Sequence, residues 1–204
     1  MEIKDFYTLG SKLSSSTFQA HPVGLSSKED NEGLFDEHKL IQGRYDSVSL
    51  PITFKQEQGN KLQDILDTGW SSLYLISERL KSVLDENGLT GWKTFPVKIL
   101  DKKGGIVEGY HGFSITGVCG EISYDKCEII EKSLVPSGPV SKYYKGLYVG
   151  LDKWDGSDFF LPSKNFGIIV TKNAMNAIKK EKLTNVAFKN LAEIETPEFA
   201  LQTA

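Results

Sequence analysis

The stretch LYLISERLKSVLDENGLTGWKTFPVKI, residues 73–99, has a counterpart near the end of the chain, GIIVTKNAMNAIKKEKLTNVAFKNLAEI. This pair restricts the fold more than any other feature. Each member opens with a short apolar run suited to a buried strand. Each then places a hydroxyl, Ser77 or Thr171, where a helix N-cap can accept from an orphan N–H of the first turn. Helical spacing puts Leu80, Val83 and Leu84 on one inner face, and Ala174, Ala177 and Ile178 on the other. Gly88 supplies a left-handed stop. Both units then return as extended segments. Pro96 has no N–H to donate, which puts its strand at an edge or a bulge.

The units coincide at a spacing of 94 residues. Ser77 falls on Thr171, Leu80 on Ala174, Val83 on Ala177, Leu84 on Ile178, Leu89-Thr90 on Leu183-Thr184, and Gly91 on Asn185. Two strand–helix–strand units at one spacing read as an internal duplication, although two capped amphipathic helices also align this well by chance. They are too few and too far apart for a solenoid.

The remaining chain is less regular. GSKLSSSTFQAHPVGLSSKEDNEG reads as loop, and LFDEHKLIQGRYDSVSLPITFKQEQGNK as short strands between turns. Residues 1–60 are thus expected to form an irregular segment of the same domain. Residues 61–204 form an α/β domain with units near 73–100 and 167–195. IVEGYHGFSITGVCGEISYDKCEII looks like strand broken by glycines. YYKGLYVGL alternates Leu147, Val149 and Leu151 as a strand would. DKWDGSDFFLPSKNF is read as a turn-rich connector. The expected class is α+β, with the two units packed on mostly antiparallel sheet.

Composition narrows the function. A net charge of −3 and an isoelectric point near 5.7 argue against general nucleic-acid binding, which needs clustered Lys and Arg. MEIKDFYTLG carries early acidic residues and no apolar run, so it is not a signal peptide. No stretch approaches the roughly 18–20 apolar residues of a membrane span. The two cysteines, Cys119 and Cys127, are too few for a disulfide scaffold. The expected compartment is the cytoplasm, with both thiols reduced. Oligomeric state is left open.

No catalytic motif stands out. His21, His38 and His111 lack metal-ligand spacing, and no phosphate-binding loop, dinucleotide fingerprint or nucleophile elbow is present. No cofactor or metal is implied. A thiol–imidazole pair from Cys119 or Cys127 with His111 competes with the simpler reading of small buried strand residues. Glu78 and Arg79 are adjacent and do not face each other on a helix, and Glu78 suits the positive N-terminus. LDKWDGSDFF holds Asp152, Asp155 and Asp158, whose spacing fails that of a calcium loop. With Trp154 as an aromatic anchor, these three carboxylates form the candidate acidic patch for a basic protein partner.

The two units resemble a bacterial family of immunity proteins found in polymorphic-toxin loci, the immunity-protein-eleven type, earlier catalogued as a domain of unknown function. Ile76-Ser77-Glu78 and Gly88-Leu89-Thr90-Gly91-Trp92 carry the first half of the likeness. Asp158-Phe159-Phe160-Leu161, Val170-Thr171, Ala177-Ile178 and Leu183-Thr184-Asn185-Val186-Ala187-Phe188 carry the second. It spans roughly residues 60–195. Lys172 departs from it where the first unit has Glu78, and Asn185 stands where Gly is expected. The resemblance implies a cytoplasmic, non-enzymatic protein that binds and neutralises a toxin. It assigns no catalytic residue. An enzyme whose polar groups converge only in the fold would instead need a closed polar cleft with shifted pKa values. A regulatory interaction module is the third reading.

Overall fold

The computed structural model describes residues 2–201 except 13, 27, 47, 134, 136 and 137, so part of the loop SLVPSGPVSK lies outside the described residues. The first part of the chain contributes β1 (Phe6–Gly10), β2 (Gln19–Val23), α1 (Asp36–Ile41) and β3 (Ile52–Gln58). Then come β4 (Ile65–Asp67), β5 (Tyr74–Ser77), α2 (Glu78–Glu86), β6 (Trp92–Phe95), β7 (Val97–Leu100) and β8 (Ile106–Val107). β9 (Tyr110–Ile115), β10 (Gly117–Cys119), β11 (Glu128–Ser133) and β12 (Val140–Lys145) follow. The chain closes with β13 (Phe159–Pro162), β14 (Ile169–Thr171), α3 (Lys172–Lys180), β15 (Ala187–Asn190), β16 (Glu195–Pro197) and α4 (Glu198–Leu201). The fold is therefore α+β with strand predominating.

Both long helices begin as their hydroxyls dictate. Ser77 Oγ accepts from Leu80 N at 3.1 Å, and Thr171 Oγ1 accepts from Ala174 N at 3.2 Å. Such a cap contributes about 1 kcal/mol. Leu80, Val83 and Leu84 are buried on α2. On α3 the buried residues are Ala174, Met175 and Ile178, and Ala177 is only half-buried. The stripe is turned slightly toward Met175. The α2 stop is a Schellman motif: Leu89 N donates to Leu84 O at 3.1 Å and Gly88 N to Asp85 O at 3.0 Å, with Gly88 at φ +61°.

A five-stranded sheet runs β10-β13-β14-β1-β15, and an eight-stranded sheet runs β6-β9-β5-β4-β2-β3-β7-β8. The two share a local arrangement. β5 lies between β4 and β9, both antiparallel, and β9 also pairs with β6. Likewise β14 lies between β13 and β1, both antiparallel, and β1 also pairs with β15. β2 runs parallel to β4, as β10 does to β13. The strand completing each helix's sheet thus comes from the other half of the chain. Only Pro96 separates β6 from β7, yet these strands stand near opposite ends of the eight-stranded order, so the sheet curls back on itself. Ile52 N closes the seam onto Pro96 O at 3.2 Å.

α2 and α3 pack together, and their inner residues join one core with Phe54, Phe95, Phe113 and Phe159. Phe113 meets Phe159 edge-on at 5.8 Å, joining the two sheets. Truncating such a ring costs about 3–5 kcal/mol. A smaller cluster gathers Phe6, Cys119, Val149, Phe160, Ile169 and Leu191. A third sheet, β11-β12-β16, is a mostly exposed three-stranded ribbon.

Four local expectations are corrected. Residues 19–23, read as part of a loop, form β2, which pairs with β3 and β4. Residues 36–41 are helical rather than extended; the cap there is His38 Nδ1, which accepts from Phe35 N at 3.4 Å, an unusual signal. The alternation at 147–151 is not a strand: β12 ends at Lys145 because Gly146 takes φ +88°. Phe159–Pro162, placed in the connector, is the buried strand β13 between β10 and β14.

Candidate functional site

The candidate acidic patch comprises Asp152, Trp154, Asp155 and Asp158. Trp154 packs inward, edge-on to Phe6 at 5.3 Å and tilted on Phe160 at 5.5 Å, while its Nε1 donates to Ser157 O at 3.1 Å. Asp155 closes the turn. Its carboxylate accepts from Ser157 N at 3.0 Å, Ser157 Oγ at 2.5 Å and Val118 N at 3.1 Å. Burial works against ionisation there, but these donors outweigh it and hold the carboxyl below its ordinary range. Asp158 also faces inward. Asp152 is exposed and its carboxylate takes no hydrogen bond or ion pair among the described residues. It borders an open groove of about 480 Å³ lined also by Ile3, Lys126, Tyr148 and Leu151. Of the three carboxylates only Asp152 is free among the described residues, and it stands beside the exposed Lys153 on a base built by the other three.

Asp158 belongs to a construction that occurs twice. Its Oδ1 accepts from the cap hydroxyl of α3, Thr171 Oγ1, at 2.7 Å. Its Oδ2 accepts from Thr90 N at 3.1 Å and Thr90 Oγ1 at 3.4 Å, and its own N donates to Thr90 Oγ1 at 3.2 Å. Asp64 repeats this on α2. Its Oδ1 accepts from Ser77 Oγ at 2.8 Å. Its Oδ2 accepts from Thr184 N at 2.7 Å and Thr184 Oγ1 at 2.8 Å, and Asp64 N donates to Thr184 Oγ1 at 2.9 Å. Each aspartate grips the cap of its own helix and the loop beyond the other helix. These are structural carboxylates, Asp64 accepting four hydrogen bonds and Asp158 three.

A different surface has the attributes of a docking site. Trp70 stands in the turn between β4 and β5, 42% exposed. Thr68 Oγ1 donates to Leu73 O at 2.8 Å and accepts from Trp70 N at 3.4 Å, pinning the turn from inside. Gly69 takes φ +79° under the His21 ring, where any Cβ would collide with the imidazole. Trp70 and Ser71 line two open hollows at once. One, of about 400 Å³, also holds Gly10, Ser11, Gln19, Asp67 and Tyr74. It adjoins a smaller polar hollow of about 260 Å³ through Gln19 and Asp67. The other, of about 360 Å³, is lined further by Glu37, His38, Lys164 and Phe166. An exposed indole between concave walls that carry Asp67 and Glu37 is the arrangement expected of a protein-binding anchor. No sequence motif marks it. The available signal was an aromatic residue inside the turn TGWSS, where packing alone seldom needs one.

The two thiols and His111 each have another partner. Cys119 is buried in β10, its Sγ donating to Gly120 O at 3.4 Å, and burial pushes the thiol up to about 11. Cys127 Sγ donates to Gly146 O at 2.8 Å. His111 Nε2 lies 2.5 Å from Glu78 Oε2, across the start of α2, rather than beside a thiol. Among the described residues no three His, Cys, Asp or Glu gather as metal ligands would, and no helix is long and apolar enough to cross a membrane.

A family profile described as immunity protein family (Imm11) matches residues 6–193 of the 204. No curated protein matches the chain. The profile includes β1, which the resemblance noted from the units alone did not reach.

Proposed function

This chain belongs to the immunity protein family (Imm11), and on that premise we propose that it neutralises a cognate bacterial toxin by direct contact, making and breaking no bonds. The family match carries the proposal. The geometry supports it: the carboxylates at 64, 155 and 158 are engaged internally, the Cys119 thiol is buried and raised, and the hollows are open. The Trp70 surface is the proposed docking face, with the indole as anchor and Asp67 and Glu37 beside it. The turn at Asp152, Trp154, Asp155 and Asp158 is proposed as a secondary contact, in which Asp152 meets a basic partner. The two clasps keep one 94-residue spacing, Asp64 to Asp158, Ser77 to Thr171 and Thr90 to Thr184. That common spacing supports descent of both units from one duplicated segment.

The test is co-expression with the toxin encoded beside this chain's gene. Restored growth, together with one-to-one loss of toxin activity on titration with purified protein, is the expected result. Full toxin activity at saturating protein would overturn the proposal. Asp152→Lys should slow association at low salt and leave dissociation nearly unchanged, because a rim charge acts through steering. Asp155 and Asp158 do not suit such a test, since Lys at either position would break the internal hydrogen bonds just described.

A further inference from the structure

The hollow beside α1 has a property the others lack. Glu37 lines it and is 5% exposed, yet its Oε2 is buried without any hydrogen-bond partner among the described residues. Its neighbours do not supply a cation. Lys39, on the same helix, pairs with Asp30 at 3.2 Å and Asp36 at 3.5 Å. Lys164 lines the hollow but places its ammonium 2.9 Å from Glu121, and both side chains are largely exposed. His38 stacks flat on Phe166, with centroids 4.1 Å apart and planes 7° from parallel, and burial pushes its imidazole pKa down, favouring the neutral ring. The Trp70 indole, the His38–Phe166 stack and the Glu37 carboxyl therefore line the same hollow.

A buried carboxyl with an unsatisfied oxygen is costly in isolation. Burial raises its pKa, and a cation brought beside it would favour the ionised form again. The terminal torsion of a glutamate is broad, so a small rotation can turn either oxygen toward the hollow. Aromatic faces add to the attraction of a cation held over them, and a planar guanidinium can both stack on a ring and pair with a carboxylate. About 360 Å³ leaves room for one long side chain. We propose that this hollow receives a basic side chain of the docked toxin, with Glu37 as its counter-ion and Trp70 and Phe166 as its walls. The inference rests on the toxin-binding reading but assigns the chemistry of one contact within it.

The test needs no toxin, so its failure is distinguishable from failure of the neutralisation reading. The ¹⁵N-labelled full chain is titrated with N-acetyl-arginine methylamide, and separately with its neutral near-isostere N-acetyl-citrulline methylamide. The expected result is saturable shifts of the Trp70 indole N–H and of the backbone at 164–167 with the arginine compound, at a millimolar Kd, and at least fivefold weaker binding of citrulline. Glu37→Gln should weaken the arginine compound at least fivefold and leave citrulline unchanged. Trp70→Ala, at an exposed position, should weaken it as well, and serves if the buried substitution perturbs folding. Equal response to both compounds, or arginine binding unaffected by Glu37→Gln and Trp70→Ala, would overturn the proposal.

Discussion

The Asp64 and Asp158 clasps have one hydrogen-bond plan and two different surroundings. At Asp64 the loop beyond the other helix carries Asn185, at φ +59°, whose Nδ2 donates to Ile65 O at 2.7 Å and whose Oδ1 accepts from Lys12 N at 3.0 Å. At Asp158 the same place is Gly91, at φ +83°, whose carbonyl accepts from Thr116 N at 2.9 Å and Gly117 N at 3.2 Å. Asn185 does with a side chain what Gly91 does by bringing the backbone close. Arg79 adds a partner to Asp64 at 3.4 Å, and the corresponding Asn173 adds none to Asp158 among the described residues. Near a clasp, the left-handed turn is required, while the residue filling it is set by how much room the facing strand leaves.

The largest effect should come from exchanging those two solutions. A Cβ at Gly91 would collide with the Phe159 carbonyl and the Ser157 side chain, in a backbone conformation L residues avoid. Gly91→Ala is expected to cost on the order of 4 kcal/mol, through strain and overpacking together. Asn185→Ala should cost only about 2 kcal/mol, by leaving Ile65 O unpaired. Urea unfolding of both variants would show the order, and equal losses would mean that the close approach at Gly91 is not what distinguishes the loops.

Removing the aspartates comes next. Asp64→Ala should cost about 3 kcal/mol and Asp158→Ala about 2 kcal/mol, since each abandons several donors and Asp64 is the more deeply buried. The Arg79 pair contributes little to that difference, because the guanidinium is more than half exposed. A larger loss at Asp158 would reverse this ranking.

The same asymmetry has a pH signature. Burial pulls the Asp64 pKa up, but hydrogen bonds from Thr184 and Ser77, aided by Arg79, outweigh it and hold the carboxyl below its usual range. A carboxyl whose folded pKa is depressed stabilises the fold above its unfolded value, near pH 4, and that stability is lost as pH falls through the folded value. The urea midpoint should therefore drop as pH is lowered below about 4. Asp64→Asn should flatten that drop, and an unchanged slope would remove Asp64 as its source. Asp155, also depressed, should leave a residual slope.

The smallest change lies at the helix ends. Lys182, at φ +50°, holds the place Gly88 holds at +61°. Lys182→Gly should stabilise by roughly 0.5–1 kcal/mol, and Gly88→Ala, with open space around its would-be Cβ, should cost about 1 kcal/mol. Melting temperatures moving in the same direction for both would contradict the shared geometry.

The caps were legible because an N-cap bond spans three residues, and both Ser77 and Thr171 announce themselves by hydroxyl and helical spacing. α1 was not, since a histidine nitrogen caps it and six residues give the periodicity little room. Among the site residues, a cluster of aspartates in a turn reads the same whether its oxygens face solvent or the chain's own N–H groups. Trp70 and Glu37, 33 positions apart in the chain, meet only across a hollow.

What the amino-acid order settled alone is local: two capped helices, their inner faces, the turns that stop them, and a shared spacing between the halves. Tertiary structure decided the exchange, with β9 completing the sheet of α2 and β1 that of α3, and each aspartate reaching a threonine 120 or 68 residues away. Short-range hydrogen bonds depend on the few residues around them. Strand partners depend on which apolar faces the whole chain can bury at once, and no window of the sequence contains that choice.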